Sequence, residues 1–237
     1  WAVLSIIKRV NELFQTREAS TMVTSDSLSD IQSHGVNLKH REIFLHGYVA
    51  NSDEDPGVDY KMASTFYKNI RALDNISSDP ILVHMHSVGG NWNDGMAIYD
   101  SILLCKSYVT IVAYGQAESM SSIILQAADK RVMMPNAYFM CHFGSTGISG
   151  NFLDVQKGAA FEKRMTESMI DIYAEECVKG KYFKEHYTEP DLDKVRNYLK
   201  RKFKDGDWYL DANEAVYYGF ADLVLNTRKN RTIDSLK

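Results

Sequence analysis

Cysteine is scarce in this sequence. Cys105, Cys141 and Cys177 stand far apart in 237 residues. An odd, widely spaced set gives no disulfide framework, and the lack of any Cys-x-x-Cys pair removes the usual signature of a zinc site or a dithiol switch. A reducing compartment fits such a chain, so a cytoplasmic location is expected, or an organellar matrix if a targeting segment was removed before Trp1. A start at Trp in place of Met fits a processed or trimmed chain. Long apolar runs are also missing. None approaches the roughly 18–20 residues that span a bilayer, so no membrane-spanning helix is expected. The apolar opening Trp1 to Ile7 precedes Lys8 and Arg9, the reverse of the charge order in a secretory signal. Basic residues are not in excess: 27 Lys and Arg against 31 Asp and Glu leave a formal charge of -4, which provides no global field for nucleic acid. Internal repeats are not evident.

What the sequence has is enough apolar content, 45% against 24% charged residues, to bury one core, and a single principal domain is expected. Val3, Ile6, Ile7, Val10, Leu13 and Phe14 recur at helical spacing, so an amphipathic first helix is expected, followed by a polar connector to about residue 40. The compact domain then runs over 41–226, and a polar tail over 227–237. Its first strand is read at Glu42 to Val49, followed by a Pro- and Gly-marked acidic loop at Asn51 to Gly57. Helices at 59–73 and 93–104 alternate with strands at 81–86 and 108–114. A helix from Ser119 to about Ala128, a strand at 138–142 and a long helix at 152–178 follow. An inserted segment at 180–206 carries Leu192, Val195 and Leu199 at helical spacing, and a short helix and a last strand at 221–225 close the domain. Strands alternating with helices indicate an α/β fold of repeated βαβ units.

Four features of this pattern bear on chemistry. Ser119 stands where a strand turns directly into a helix, a place that exposes a hydroxyl beside unpaired backbone N–H groups. By itself such a serine is more often a helix N-cap. Gly89-Gly90 ends another strand, where adjacent glycines let a backbone N–H approach a substrate carbonyl, although an isolated pair is more often a turn. His142 ends a strand, within reach of a cleft, and imidazole is suited to proton transfer near neutral pH. Asp207 follows a charged helix, where a solvated turn is the ordinary reading.

Taken together, these features resemble the Clp protease proteolytic-subunit family. The resemblance rests on Gly89-Gly90 with Asp94-Gly95-Met96-Ala97-Ile98-Tyr99-Asp100, Gly115-Gln116-Ala117-Glu118-Ser119-Met120, Pro135-Asn136, His142, and Asp207 with Tyr209-Leu210, Glu214-Ala215-Val216 and Gly219. It runs from Glu42 to Leu225, about three-quarters of the chain. It implies the Clp peptidase/crotonase-like fold with a protruding handle helix, and a serine endopeptidase with Ser119 as nucleophile, His142 as base and Asp207 as orienting acid. It further implies an oxyanion hole from the N–H groups of Gly89 and Met120, with Gly90 contacting substrate, and neither metal nor organic cofactor. The implied substrates are peptides or unfolded proteins. The implied assembly is a homo-oligomer of two stacked heptameric rings, working with an AAA+ unfoldase.

The sequence departs from the family pattern at several positions. Val88 replaces a proline before the glycine pair, Glu118 a small residue before the nucleophile, and Ser121 a glycine after it. Phe143-Gly144 replaces Gln-Pro after His142. Leu82 and His84 stand where tyrosines commonly precede the glycine pair, at the docking face for the ATPase. The insertion between His142 and the acid leaves Asp205 as a rival to Asp207, and Ser121 is a rival hydroxyl. Two other readings are weaker. A non-catalytic ring subunit conflicts with an intact Ser119, His142 and Asp207 set, while a virus-encoded capsid-maturation protease or a crotonase-like acyl-CoA enzyme would keep the fold and change the task. His84 and His86 share a strand face without a third metal ligand, and Lys200, Arg201, Lys202 and Lys204 read as a solvated helix end.

Overall fold

The computed structural model describes residues 28–46, 57–225 and 236. The amphipathic helix expected over 3–14 lies outside the described residues, as do 47–49 of the first predicted strand, most of the acidic loop and all of the polar tail but Leu236. Residues 28–34 are helical (α1), within the stretch the sequence reads as a connector. The order that follows is β1 (Val36–Asn37), β2 (Glu42–His46), α2 (Tyr60–Ile76), β3 (Ile81–Ser87), α3 (Trp92–Leu103), β4 (Val109–Glu118), α4 (Met120–Leu125), β5 (Lys130–Met133) and β6 (Tyr138–Cys141). Then come α5 (Phe152–Cys177), α6 (Lys181–His186), α7 (Leu192–Lys204), β7 (Trp208–Asp211), α8 (Ala212–Tyr218) and β8 (Leu223–Val224).

The strands form one sheet in the order β1-β2-β3-β4-β5-β8, with β6 paired to β4 and β7 paired to β6. The β2-β3, β3-β4, β4-β5, β5-β8 and β4-β6 pairs are parallel, and β1-β2 and β6-β7 are antiparallel. Parallel neighbours need helical crossovers, which cover the sheet and explain the continuous apolar runs in β3 and β4. Alternation divides those runs between faces. Val83, Met85, Ile111 and Ala113 enter the main core, whereas Leu82, Val112 and Val132 form a second cluster with Leu225 and Leu236.

β4 positions the candidate site. Its first half, Thr110–Ala113, pairs with β5, and its second half, Gln116–Glu118, pairs with β6. Between them Gly115 has φ of +60°, and a Cβ there would come within 2.7–2.8 Å of the His86 ring. Only glycine takes this backbone without strain, so the strand changes partner there and carries its end towards β6.

The helices follow their caps and apolar faces. Asp59 caps α2 by accepting from the Met62 N–H, and Met62, Phe66, Ile70 and Leu73 bury one stripe. Asn151 and Asp154 form a capping box at the start of α5. Only the C-terminal part of α5 is buried, through Met169, Ile170, Tyr173, Ala174 and Cys177, while Phe152 is 73% exposed at the other end. The insertion supplies α6 and α7, and α7 buries Val195, Leu199 and Phe203. Its basic end is engaged in part: Lys200 donates to Glu167 at 2.6 Å, and Lys202 lies 5.1 Å from the Trp208 ring centre.

Arg131 on β5 ties the last strand to the core. Its guanidinium, nearly buried, donates to both Asp222 oxygens, to Gln126 Oε1 at 2.9 Å and to the Gly219 carbonyl at 3.1 Å, and it pairs with Glu176 at 3.2 Å. Removing one partner of a buried network leaves the others unpaired. Arg131→Met is expected to lower stability by about 2–3 kcal/mol, less than for a fully buried pair because Asp222 is partly solvated. The midpoint of urea unfolding measures it.

Candidate active site

Ser119 lies between β4 and α4 with φ of 51° and ψ of −123°. Arg41 is the other non-glycine residue with positive φ among the described residues. Such a conformation costs on the order of 1–3 kcal/mol, and the surroundings must hold it. Here the Ser119 N–H donates to the Met140 carbonyl on β6 at 2.8 Å. Although Ser119 occupies the N-cap position of α4, its side chain makes no capping bond. Instead its Oγ lies 2.8 Å from His142 Nε2. The ordinary capping role of a serine after a strand is therefore not the one it plays.

His142 follows β6 directly, and Asp207 directly precedes β7. Antiparallel pairing sets Cys141 opposite Trp208, which brings the next residue on each strand together. His142 Nδ1 is 2.9 Å from Asp207 Oδ1. The His142 side chain is 23% exposed and that of Asp207 is 51% exposed. Asp205, the rival acid, is the C-cap residue of α7. The strand β7 that makes this contact is not read from the sequence, where Asp207 to Ala215 leads only to a helix.

The glycine pair sits beside the serine, but its two members differ. Gly89 is buried with φ of +93°, and its N–H donates to Ser87 Oγ at 3.3 Å. Gly90 is exposed, lines the cleft, and its N–H has no partner among the described residues. The Gly89 N–H, expected from the sequence to face a substrate carbonyl, is thus engaged by Ser87, and the free amide of the pair is that of Gly90. The loop is held from its other side as well: Val58 N–H donates to the Gly89 carbonyl at 2.6 Å, and Asn91 N–H to the Val58 carbonyl at 2.8 Å.

Sequence reasoning gave no signal for the buried hydroxyls that brace this site. Ser121 is fully buried and donates to Ser87 Oγ at 2.7 Å, so the rival hydroxyl is withdrawn from the cleft. Ser122 Oγ donates to the Ser119 carbonyl and lies 2.6 Å from the Tyr173 hydroxyl of α5. Burial pushes the Tyr173 phenol well above its usual range, as it does the Cys141 and Cys177 thiols. Burial therefore favours the neutral form of each.

A cleft of about 590 Å³ opens over Ser119, Met120 and His142. Trp92, Ile123, Met165 and Met169 give it apolar walls, and Glu162, held by Thr146 Oγ1 at 2.8 Å, lies on its rim. Glu118 is half-buried beside the dyad. Burial first, and the Asp207 charge second, raise its carboxyl above the ordinary value, against a smaller opposing pull from His142. Among the described residues no cluster of three or more His, Cys, Asp and Glu is placed to hold a metal. His84 stacks on Phe44 with ring centres 4.6 Å apart, and its Nδ1 is 3.0 Å from the Tyr114 hydroxyl, while His86 Nδ1 meets the Tyr114 carbonyl.

Comparison with known proteins adds four findings. A family model described as Clp protease matches residues 27–228. The ATP-dependent Clp protease proteolytic subunit of Deinococcus radiodurans is 30% identical over 73% of this chain and 79% of its own length. The ATP-dependent Clp protease proteolytic subunit 2 of Pseudomonas aeruginosa is also 30% identical, over 83% of this chain and 86% of its own. In fold, the chain is similar to the solved structure of a ClpP1 mutant from Listeria monocytogenes, with a TM-score of 0.64, 24% identity, and coverage of 84% of this chain and 96% of that one. With its α/β architecture shared and the family match spanning most of its length, this chain is a divergent member of the Clp protease family.

Proposed function

We propose that this chain is an active serine endopeptidase in which Ser119, His142 and Asp207 form the catalytic triad. The observation that carries this reading is the continuous relay from Ser119 Oγ through the imidazole to Asp207, at 2.8 and 2.9 Å. Asp207 holds the imidazole with its proton on Nδ1, which leaves the Nε2 lone pair facing the serine. As Ser119 Oγ attacks a peptide carbonyl, His142 takes the hydroxyl proton and later passes it to the departing amine. Water then enters, His142 takes its proton, and the acyl-enzyme is hydrolysed.

The developing oxyanion is received by the N–H groups of Gly90 and Met120. Gly90 is chosen over Gly89 because its amide is the free one. Met120 is the first residue of α4, where no carbonyl of the same helix is available to its N–H. Fixed donors aimed at a developing charge contribute about 2.7–4 kcal/mol each in comparable sites. The triad and this pair account for acyl transfer with side chains and backbone alone.

The substrates we infer are peptides and unfolded chains, taken up inside two stacked heptameric rings. The exposed half of α5 supports this assembly: Phe152 and Leu153 are 73% and 60% exposed on a helix whose other half is in the core. Apolar residues on a projecting helix fit burial against a second copy. An AAA+ unfoldase would supply unfolded chains. At the outer sheet face, where the family docks such a partner, Leu82 is wholly buried and His84 stacks on Phe44, so docking there would differ in chemistry. The test is digestion of an unfolded polypeptide such as casein by the purified assembly, with product peptides identified by mass spectrometry. New amino termini from a particle of ring size are expected. A stable, fully active monomer would contradict the chamber, and an intact substrate would contradict the activity.

A further inference from the structure

The sheet register brings a second carboxylate to the imidazole. β4 and β6 pair with Glu118 opposite Met140, and β6 and β7 pair with Met140 opposite Tyr209. Paired residues across a ladder share a face, and residues two apart along a strand do so too. His142 lies two positions after Met140, and Asp207 two positions before Tyr209. Glu118, His142 and Asp207 therefore converge on one face at one end of three adjacent strands, and the 2.9 Å contact of the latter two agrees with that geometry. Both are electrostatic neighbours of Glu118.

We propose that Glu118 is a positioning residue of the catalytic base, a second carboxylate that stabilises the His142 imidazolium through space while Asp207 fixes its orientation. The inference rests on the triad reading above. Its physical reason lies in exposure. The Asp207 side chain is 51% exposed, so water and salt dilute its charge, whereas Glu118 is half-buried and acts through a less polarisable path. A carboxylate there favours the protonated ring, which assists proton removal from Ser119. The other groups around the dyad do not supply this. Glu162 approaches from α5 but is bonded to Thr146, Tyr209 is a phenol on the same face, and Lys202 of α7 is stacked over Trp208.

The experiment is the pH dependence of kcat/KM for a fluorogenic peptide, using the assembled protein and the variants Glu118→Gln, Glu118→Ala and Glu118→Asp. For Glu118→Gln the acid limb is expected to move to lower pH by about half a unit to one unit. Glu118→Ala, which removes the charge without adding an amide, is expected to move it equally, and Glu118→Asp to stay within about 0.3 of a unit of the parent. The shift in Glu118→Gln relative to the parent should largely persist at high salt, because a partly buried pair is screened much less than an exposed one. An acid limb unmoved in both charge-removing variants, each folded by circular dichroism, would overturn the proposal. Ser119→Ala measured alongside separates the two readings. If it keeps its activity, the triad itself fails; if it loses activity while the limb stays in place, only the role of Glu118 fails.

Discussion

Ser119→Ala and His142→Ala are each expected to lower kcat/KM for peptide hydrolysis by on the order of 10⁴-fold or more, with little change in thermal stability. The two residues act as one unit, since the hydroxyl is not nucleophilic without a base and the base has no proton to take without the hydroxyl. The double variant should therefore be scarcely slower than either single one, and residual turnover would come from the Gly90 and Met120 amides and from binding. Stability should hold because His142 and Asp207 are partly solvated and Ser119 makes no capping bond that alanine would remove. Alanine at 119 retains the strained φ of 51°, so any change in melting temperature should be small. Steady-state kinetics with a fluorogenic peptide and a thermal melt on the same preparations measure both quantities.

The second large effect concerns a buried glycine packed against the turn that holds Ser119. Gly89→Ala places a Cβ 2.6 Å from the Glu118 carbonyl oxygen, 2.6 Å from Ser119 Cβ and 2.7 Å from Met120 N, at φ of +93°. The first and last of these are backbone atoms of the turn that presents the nucleophile, so relief requires the turn itself to move. Misplacing a nucleophile by about 1 Å is enough to cost about 100-fold in rate. The positive φ adds on the order of 1–2 kcal/mol of destabilisation. We therefore expect Gly89→Ala to lose about two orders of magnitude in kcat/KM as well as stability. Gly147→Ala is the comparison, since a Cβ there meets nothing within 4 Å. It should stay within about 0.5 kcal/mol of the parent in urea unfolding.

Much of this site is legible in the sequence because strand ends and turns have local signatures. Ser119, His142 and the glycine pair each stand at the end of a largely apolar strand, and the structure gives β3 and β6 near their expected limits. What eluded sequence reasoning is short or set by tertiary context. β5, Lys130–Met133, has four residues and two charges, and becomes a strand because β4 and β8 flank it. β7, Trp208–Asp211, runs straight into α8, so its four residues look like the approach to a helix. Only pairing with β6 shows that it aligns Asp207 with His142. The choice between Gly89 and Gly90 is likewise invisible in sequence, since it depends on which amide Ser87 Oγ accepts from. The lengthening of β4 through Gly115 to Glu118, beyond the expected end at 114, has the same origin: β6 offers a second ladder after β5 has ended.

The most direct test of the central claim is covalent labelling of the purified protein with a fluorophosphonate, followed by peptide mapping. Such a probe reacts with a serine only where a base activates the hydroxyl and donors receive the phosphoryl oxygen. One adduct per chain is expected on Ser119, absent in Ser119→Ala and strongly suppressed in His142→Ala. An adduct on Ser121, or labelling of Ser119 that is indifferent to the loss of His142, would contradict the account.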